Sequence, residues 1–333
     1  MIKINEVENS KNKISSFIEK TELIKSNLSN KIGLDLKLKL ELNQPIGSFK
    51  IRGAMNALLN LSKKYKGVTC CSTGNHGKGV AYAALKQNKK AIICMSKNVP
   101  KNKIEGIKKF GAEIKIEGTS QDEAETISLN LAKTNSLKYI SPFDDLDVLN
   151  GQATIGLEIF EQDPNIKNVL IPLSGGGLAG GIAAVLKQLN PNIKVFGVSM
   201  ENGAAMYQSI VNKQPSLTKE YISLADSLQG GIGLSNKYTF KLCQNYLDDI
   251  ILVSENEIYK ALQEIYFMDN IICEGACVVG IAALMNNKIK NLNGLTATII
   301  TGKNIDLTLH KKIIEGKDIV MDSLIINGSK YGQ

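Results

Sequence analysis

From residue 67 onward, short runs of β-branched and apolar residues alternate with segments whose apolar positions recur at helical spacing. Strands are predicted over 68–72, 91–95, 113–117 and 138–140, with helices over 77–87, 103–110 and 122–134 between them. This unit closes near residue 144. A second series follows: helix 151–160, strand 168–173, helix 179–189, strand 194–198, helices 255–267 and 275–286, and strand 297–301. Strands that alternate with helices form parallel sheets covered on both faces. Ligands then gather at the carboxyl ends of the strands, so the residues following each strand carry the functional information. The window 169–186 is apolar enough to imitate a membrane span. Pro172 and the glycines at its centre instead divide it into a strand, a turn and a helix start.

With 333 residues, 43% hydrophobic and 22% charged, the composition is that of a folded chain of one large or two modest domains. Residues 1–17 lack the apolar core of a secretion signal. Six cysteines, two of them adjacent (Cys70, Cys71), do not make a disulfide framework, so a reduced, cytoplasmic protein is expected. The formal net charge is +8, from 40 Lys+Arg against 32 Asp+Glu. Arg52 is the single arginine, and the lysines are scattered without interleaved aromatics. Surfaces that read nucleic acid lean on the guanidinium fork and on stacking rings. The excess therefore reads as a solvated surface, with neither a nucleic-acid nor a membrane partner. Arg52, two residues from Lys50, stands out.

Four segments carry candidate chemistry. Ser48-Phe49-Lys50-Ile51-Arg52-Gly53-Ala54 opens a helical run over 54–61. A lysine among apolar residues at a helix start loses its proton readily, through desolvation and nearby positive charge, as a Schiff-base lysine must. Ser72-Thr73-Gly74-Asn75-His76-Gly77 follows a predicted strand and opens a helix, whose free N–H groups suit a carboxylate. Ser174-Gly175-Gly176-Gly177-Leu178 does the same for a phosphate. Gly175-x-Gly177-x-x-Gly180, with Glu201 further on, also satisfies the dinucleotide fingerprint, so an NAD-dependent dehydrogenase is a competing reading. Thr301-Gly302-Lys303-Asn304-Ile305-Asp306 ends the series; alone it is a solvated turn.

In this order, together with Pro142-Phe143-Asp144-Asp145 and Glu274-Gly275-Ala276, these segments resemble the pyridoxal-phosphate dependent enzymes of fold type II. The resemblance is to threonine and serine dehydratases, serine racemase and related ammonia-lyases, and runs from about Asn43 to Asp306. Residues 198–206 and 225–233 look like the hydroxyectoine-utilisation dehydratase branch. The resemblance implies an α/β fold of two domains, each with a mostly parallel central sheet flanked by helices and the cofactor in the cleft between them. Residues 1–66 and 145–333 would form the large domain and 67–144 the small one. A homodimer is expected.

The resemblance also implies roles. Lys50 would hold pyridoxal 5′-phosphate as a Schiff base, beside Phe49. Asn75 would bond the ring oxygen, Ser174, Gly175, Gly176, Gly177 and Leu178 would cradle the phosphate, and Glu274 would belong to the cofactor site. Thr301 would face the pyridine nitrogen; a neutral hydroxyl leaves that ring a weaker electron sink and favours prompt loss of a β-substituent. Ser72, Thr73, Asn75, His76 and Phe143 would meet the substrate, with Lys50 and Thr73 as the catalytic groups. The implied reaction is elimination of water from a small β-hydroxy amino acid such as threonine, serine or a hydroxylated ectoine-derived amino acid, giving a keto acid and ammonia. Racemisation is the alternative, disfavoured because serine racemases place a serine where Thr73 stands. The cation site of that family would fall on Ser199 and Ala205, so no metal is expected unless a register shift brings in Glu201. No regulatory domain is expected after Asp306.

Overall fold

Two parallel sheets organise the chain, seen in a computed structural model that describes residues 2–332 apart from 73, 98 and 100. The larger sheet runs in the order Leu23–Lys25, Leu36–Lys39, Thr296–Ile299, Asn168–Pro172, Lys194–Met200 and Asp249–Val253. Its pairings are parallel except at the edge, where Leu23–Lys25 runs against Leu36–Lys39. The smaller sheet, in the order Glu113–Ile116, Lys90–Met95, Gly67–Cys71 and Leu137–Tyr139, is wholly parallel.

The continuous apolar runs follow from burial on both faces. In strand Asn168–Pro172, Val169 and Ile171 join Ile155, Ile159, Ile182 and Leu186 in one core. Leu170 points the other way, with Val198, Ile258, Leu262 and Ile281. The smaller sheet has its own core, in which Val68, Cys70, Ile93 and Met95 pack on Val80, Ala84 and Ile107. Ala54, Met55 and Leu58 of helix Lys50–Leu59 belong to that same core. The helix also touches the larger unit closely. A Cβ at Gly53 would lie 2.7 Å from Val148 O, and one at Gly151 would lie 2.6 Å from Gly53 Cα. Two glycines therefore let helix Lys50–Leu59 sit against Leu146–Gln162, so Lys50 starts a helix wedged between the two cores.

Beneath that helix, Arg52 is fully buried. It makes paired hydrogen bonds to Glu41 (2.7 and 2.8 Å) and to Glu158 (2.7 and 2.9 Å). Lys39, also fully buried, donates to Glu158 at 2.6 Å. The retained arginine is thus a bidentate clamp inside the protein, a geometry lysine cannot supply.

Most predicted elements occur within a few residues of their expected bounds. Helix Leu146–Gln162 begins five residues before the predicted 151, because the Asp145 carboxylate accepts the Asp147 and Val148 N–H groups at 2.8 and 3.2 Å. The helix predicted over 275–286 is a 3₁₀ turn, Gly275–Val278, followed by helix Val279–Met285. Among the elements outside the predicted set are helices Ile4–Ile14, Ala205–Val211, Thr239–Tyr246 and Leu307–Ile314 and strands Leu23–Lys25, Leu36–Lys39, Asp249–Val253, Ile319–Met321 and Leu324–Ile326. Among the described residues no helix is long and apolar enough to cross a membrane.

Candidate active site

Lys50 is the first residue of helix Lys50–Leu59. Its Nζ donates to Pro142 O at 2.7 Å and lies 5.2 Å from the Phe49 ring centre. By area the residue is half-buried, while its amine is packed among protein atoms. Burial lowers its pKa to about 8. The second cause expected from sequence, a neighbouring positive charge, is not among the forces acting on it. Desolvation does the tuning.

The loop after strand Asn168–Pro172 turns into helix Gly177–Leu189 through Gly176, whose φ of 85° is a left-handed conformation that favours glycine. The N–H groups of the first helical turn have no partners within the helix and form an anion-binding end. Leu178 turns its side chain into the core, so only its backbone remains for a phosphate. Phe143 lies against this loop: a Cβ on Gly175 would collide with its ring, and one on Gly177 would lie 2.9 Å from its Cα. The structure thus places Phe143 behind the glycines. Asp144, one residue on, accepts the N–H groups of Lys237, Tyr238 and Thr239 at 2.7, 2.9 and 3.1 Å.

The other strand end supplies helix Asn75–Lys86. Asn75 Nδ2 donates to both Glu274 carboxylate oxygens at 3.0 and 2.9 Å, and Asn304 Nδ2 donates to Asn75 Oδ1 at 2.7 Å. Burial raises the pKa of Glu274. His76 is buried, with Nε2 3.0 Å from Ile140 O, and burial followed by the nearby Lys50 lowers its pKa to about 3. Its ring is therefore neutral, and what it offers a carboxylate is its backbone N–H at the helix start. Half-buried Ser72 accepts the Gly74 N–H at 3.3 Å. Thr73 lies outside the described residues.

Thr301 closes the ring of loops. Its carbonyl accepts the Phe49 N–H at 3.0 Å, and its hydroxyl lies 3.2 Å from Cys277 Sγ. Ser48 and Gly302 form an isolated antiparallel bridge beside it. Lys50, the glycine loop, Asn75, Glu274 and Thr301 are thus brought together, while Glu201 is held elsewhere, by Lys288 at 3.3 Å. Sequence reasoning left out Pro142 O, Asn304, Asp144's capping role and Cys277. Asn304 and Pro142 stood inside the quoted motifs; Cys277 carried no signal.

A buried amine of lowered pKa, a helix end of free N–H groups and a neutral hydroxyl form the donor set that an aldehyde-bearing phosphorylated pyridine requires. The residues present fit pyridoxal phosphate. Among the described residues no group of three or more His, Cys, Asp or Glu side chains is placed to hold a metal ion.

Comparison with known proteins agrees. The family profile described as pyridoxal-phosphate dependent enzyme matches residues 14–302. A Sinorhizobium fredii protein assigned provisionally as a threonine dehydratase is 44% identical, covering 95% of this chain and 96% of that one. The L-threonine ammonia-lyase of Thermotoga maritima is 33% identical over 98% of this chain and 83% of its own. Among solved structures, threonine deaminase isoform 2 of Solanum lycopersicum superposes with a TM-score of 0.86 at 34% identity, covering 94% of this chain and 89% of that one. Maize serine racemase gives a TM-score of 0.87 at 28% identity, covering 93% and 96%. With Lys50 and the glycine loop joined through Pro142 and Phe143, the dinucleotide reading gives way: this chain belongs to the pyridoxal-phosphate dependent enzymes, as a lyase of the fold type II ammonia-lyase superfamily.

Proposed function

We propose that the chain removes water from a small β-hydroxy amino acid, threonine or serine, and releases the corresponding keto acid and ammonia. The observation that carries this reading is the buried Lys50 amine, with a pKa of about 8, at the meeting point of the glycine loop, Asn75 and Thr301. When bound, pyridoxal phosphate supplies an electron-withdrawing system that stabilises negative charge at the substrate Cα. The glycine-loop N–H groups and Ser174 would hold its phosphate, Asn75 its ring oxygen, and Thr301 its ring nitrogen.

The chain's own residues position the substrate and take its Cα proton. Lys50, unprotonated for a substantial fraction of the time near its pKa, takes the Cα proton as general base. The N–H groups opening helix Asn75–Lys86 receive the substrate carboxylate, with Ser72 beside them. His76 is neutral and tied to Ile140 O, so it fixes that turn and transfers no proton. Residues 67–144 would close as a small domain over the rest, and a cytoplasmic homodimer is the proposed working form.

The test is keto-acid release from L-threonine, L-serine and 3-hydroxyaspartate by purified protein loaded with pyridoxal phosphate. Keto acid from threonine or serine, abolished in Lys50→Ala, is the expected result. Exchange of the Cα hydrogen with inversion and no keto acid would replace this reading by racemisation.

A further inference from the structure

Asn304 stands where several hydrogen bonds cross, yet the proposed reaction gives it no part. Its Nδ2 donates to Asn75 Oδ1 at 2.7 Å and to Ile46 O at 3.1 Å, and its Oδ1 accepts from the Lys78 ammonium at 3.0 Å. Its backbone N–H donates to Glu274 Oε1 at 2.8 Å. Turning this amide over would set its N–H groups against an ammonium and its oxygen against Ile46 O and Asn75 Oδ1, so its orientation is fixed. Asn75 Nδ2 in turn lies 3.0 and 2.9 Å from the two Glu274 oxygens. The two oxygens of one carboxylate subtend a far smaller angle at that nitrogen than the angle between its two N–H bonds. One N–H is therefore shared between them, and the other has no acceptor among the described residues.

We propose that Asn304 is a positioning residue: by donating to Asn75 Oδ1 it fixes the Asn75 amide with its remaining N–H available to the cofactor's ring oxygen. The inference rests on the reading that Asn75 meets that oxygen. A ring oxygen that carries negative charge needs a donor, and the amide's own oxygen in that place would repel it. An aspartate at position 304 has nearly the same shape as asparagine and can still face Lys78, but its carboxylate has no proton to give. Two carboxylates would then flank Asn75 and compete for both of its N–H groups, leaving none for the cofactor. Alanine at 304 merely removes the tether.

The test titrates apo-protein with pyridoxal phosphate at mildly alkaline pH, for wild type, Asn304→Ala and Asn304→Asp, and for the same changes in an Asn75→Ala background. Readouts are the cofactor dissociation constant and the visible absorption band of the bound form, which reports the charge on its ring oxygen. Asn304→Ala should weaken binding roughly fivefold, the equivalent of one net hydrogen bond of about 1 kcal/mol. Asn304→Asp should weaken it further, by roughly tenfold or more, and move the band toward the form with a neutral ring oxygen. In the Asn75→Ala background either change should add no more than about twofold. A role in packing alone predicts the opposite order, because aspartate keeps the shape and the Lys78 contact. An aspartate variant that binds at least as well as the alanine variant, or equal losses in both backgrounds, overturns the assignment. Either variant alone runs the cycle should the other not fold. If Asn75→Ala by itself leaves both readouts unchanged, Asn75 does not meet the ring oxygen, and that reading falls together with this assignment. If Asn75→Ala weakens binding and the losses are additive, this assignment alone fails.

Discussion

The Lys50 amine is tied to the Pro142 carbonyl oxygen at 2.7 Å, and the next residue along, Phe143, packs its ring behind Gly175. Two consecutive residues therefore set the position of the reactive amine and the back wall of the glycine loop together. Helix Lys50–Leu59 and the loop leaving the smaller sheet cannot shift independently without breaking one of these contacts. Such coupling keeps an amine and a phosphate cradle at the fixed separation that one rigid cofactor demands.

The lowered pKa of Lys50 makes a pH-dependent prediction. In the apo-protein its reaction with an amine-selective acylating reagent should rise with pH and level off above about 8. An ordinary lysine, with a pKa near 10.4, would still be climbing there. The sign for stability follows. Between about 8 and 10.5 the unfolded chain holds a proton that the folded Lys50 has released, so apo-protein stability should rise across that window relative to Lys50→Met. Mass spectrometric labelling and urea melts check both; identical pH slopes for the two proteins would contradict the burial of this amine.

Gly176→Ala should disable the phosphate cradle. The backbone there has φ 85°, and a Cβ would lie 2.7 Å from Met206 Cε and 2.8 Å from Cys243 Sγ. Strain and crowding together should cost about 2–4 kcal/mol of stability and weaken pyridoxal phosphate binding at least about tenfold. Denaturant melts and cofactor titration measure the two effects. Gly74→Ala, where a Cβ meets open space, is the matched control and should fold normally.

Much of this arrangement is readable in the sequence, and the unread part has identifiable causes. Apolar runs such as 168–173 announce buried strands, and the glycine loop announces itself because no other residue permits that backbone. Lys50 and Asn75 were legible as members of a motif set, not from their own surroundings. The role of Arg52 was not legible: its partners Glu41 and Glu158 lie 11 and 106 residues away, and no local pattern pairs them. Cys277 was hidden for the same reason, since Thr301 meets it across 24 residues. Asp145 was available as a helix cap, but the helical apolar period of that segment is clearest only from residue 151. The neutral His76 ring depends on burial depth, which residue identity does not report.

Asp144 should prove a support of the cofactor site rather than a participant. Its carboxylate receives three N–H groups at the start of helix Thr239–Tyr246, and Thr239 and Cys243 of that helix back onto Gly176. Asp144→Ala should lower stability by about 1–2 kcal/mol, as loss of a helix cap does, and loosen cofactor binding a few-fold through the glycine loop. Asp144→Asn keeps one acceptor and should fall between. A full loss of cofactor binding with unchanged stability would assign the carboxylate a direct contact instead.

The clamp around Arg52 makes the strongest prediction about stability. Arg52, Glu41, Glu158 and Lys39 are each at most 2% exposed, so removing one partner strands a charge away from water. Arg52→Met should cost about 3–5 kcal/mol, and Arg52→Lys a substantial part of that, because an ammonium cannot face two carboxylates bidentately. Because Arg52 lies two residues from Lys50 on one helix, cofactor affinity should fall with it. Acid tests the same cluster from the other side. Burial disfavours the Glu158 carboxylate, but Arg52, then Lys39, outweigh it and hold its pKa below the usual 4.5. The stability it confers is complete above 4.5 and is lost as pH falls through its folded-state value. Glu158→Gln should therefore be less stable than wild type at neutral pH, and the gap should narrow as both are acidified. A gap that stays constant in urea melts down to acid pH would show that Glu158 is held by packing rather than by charge.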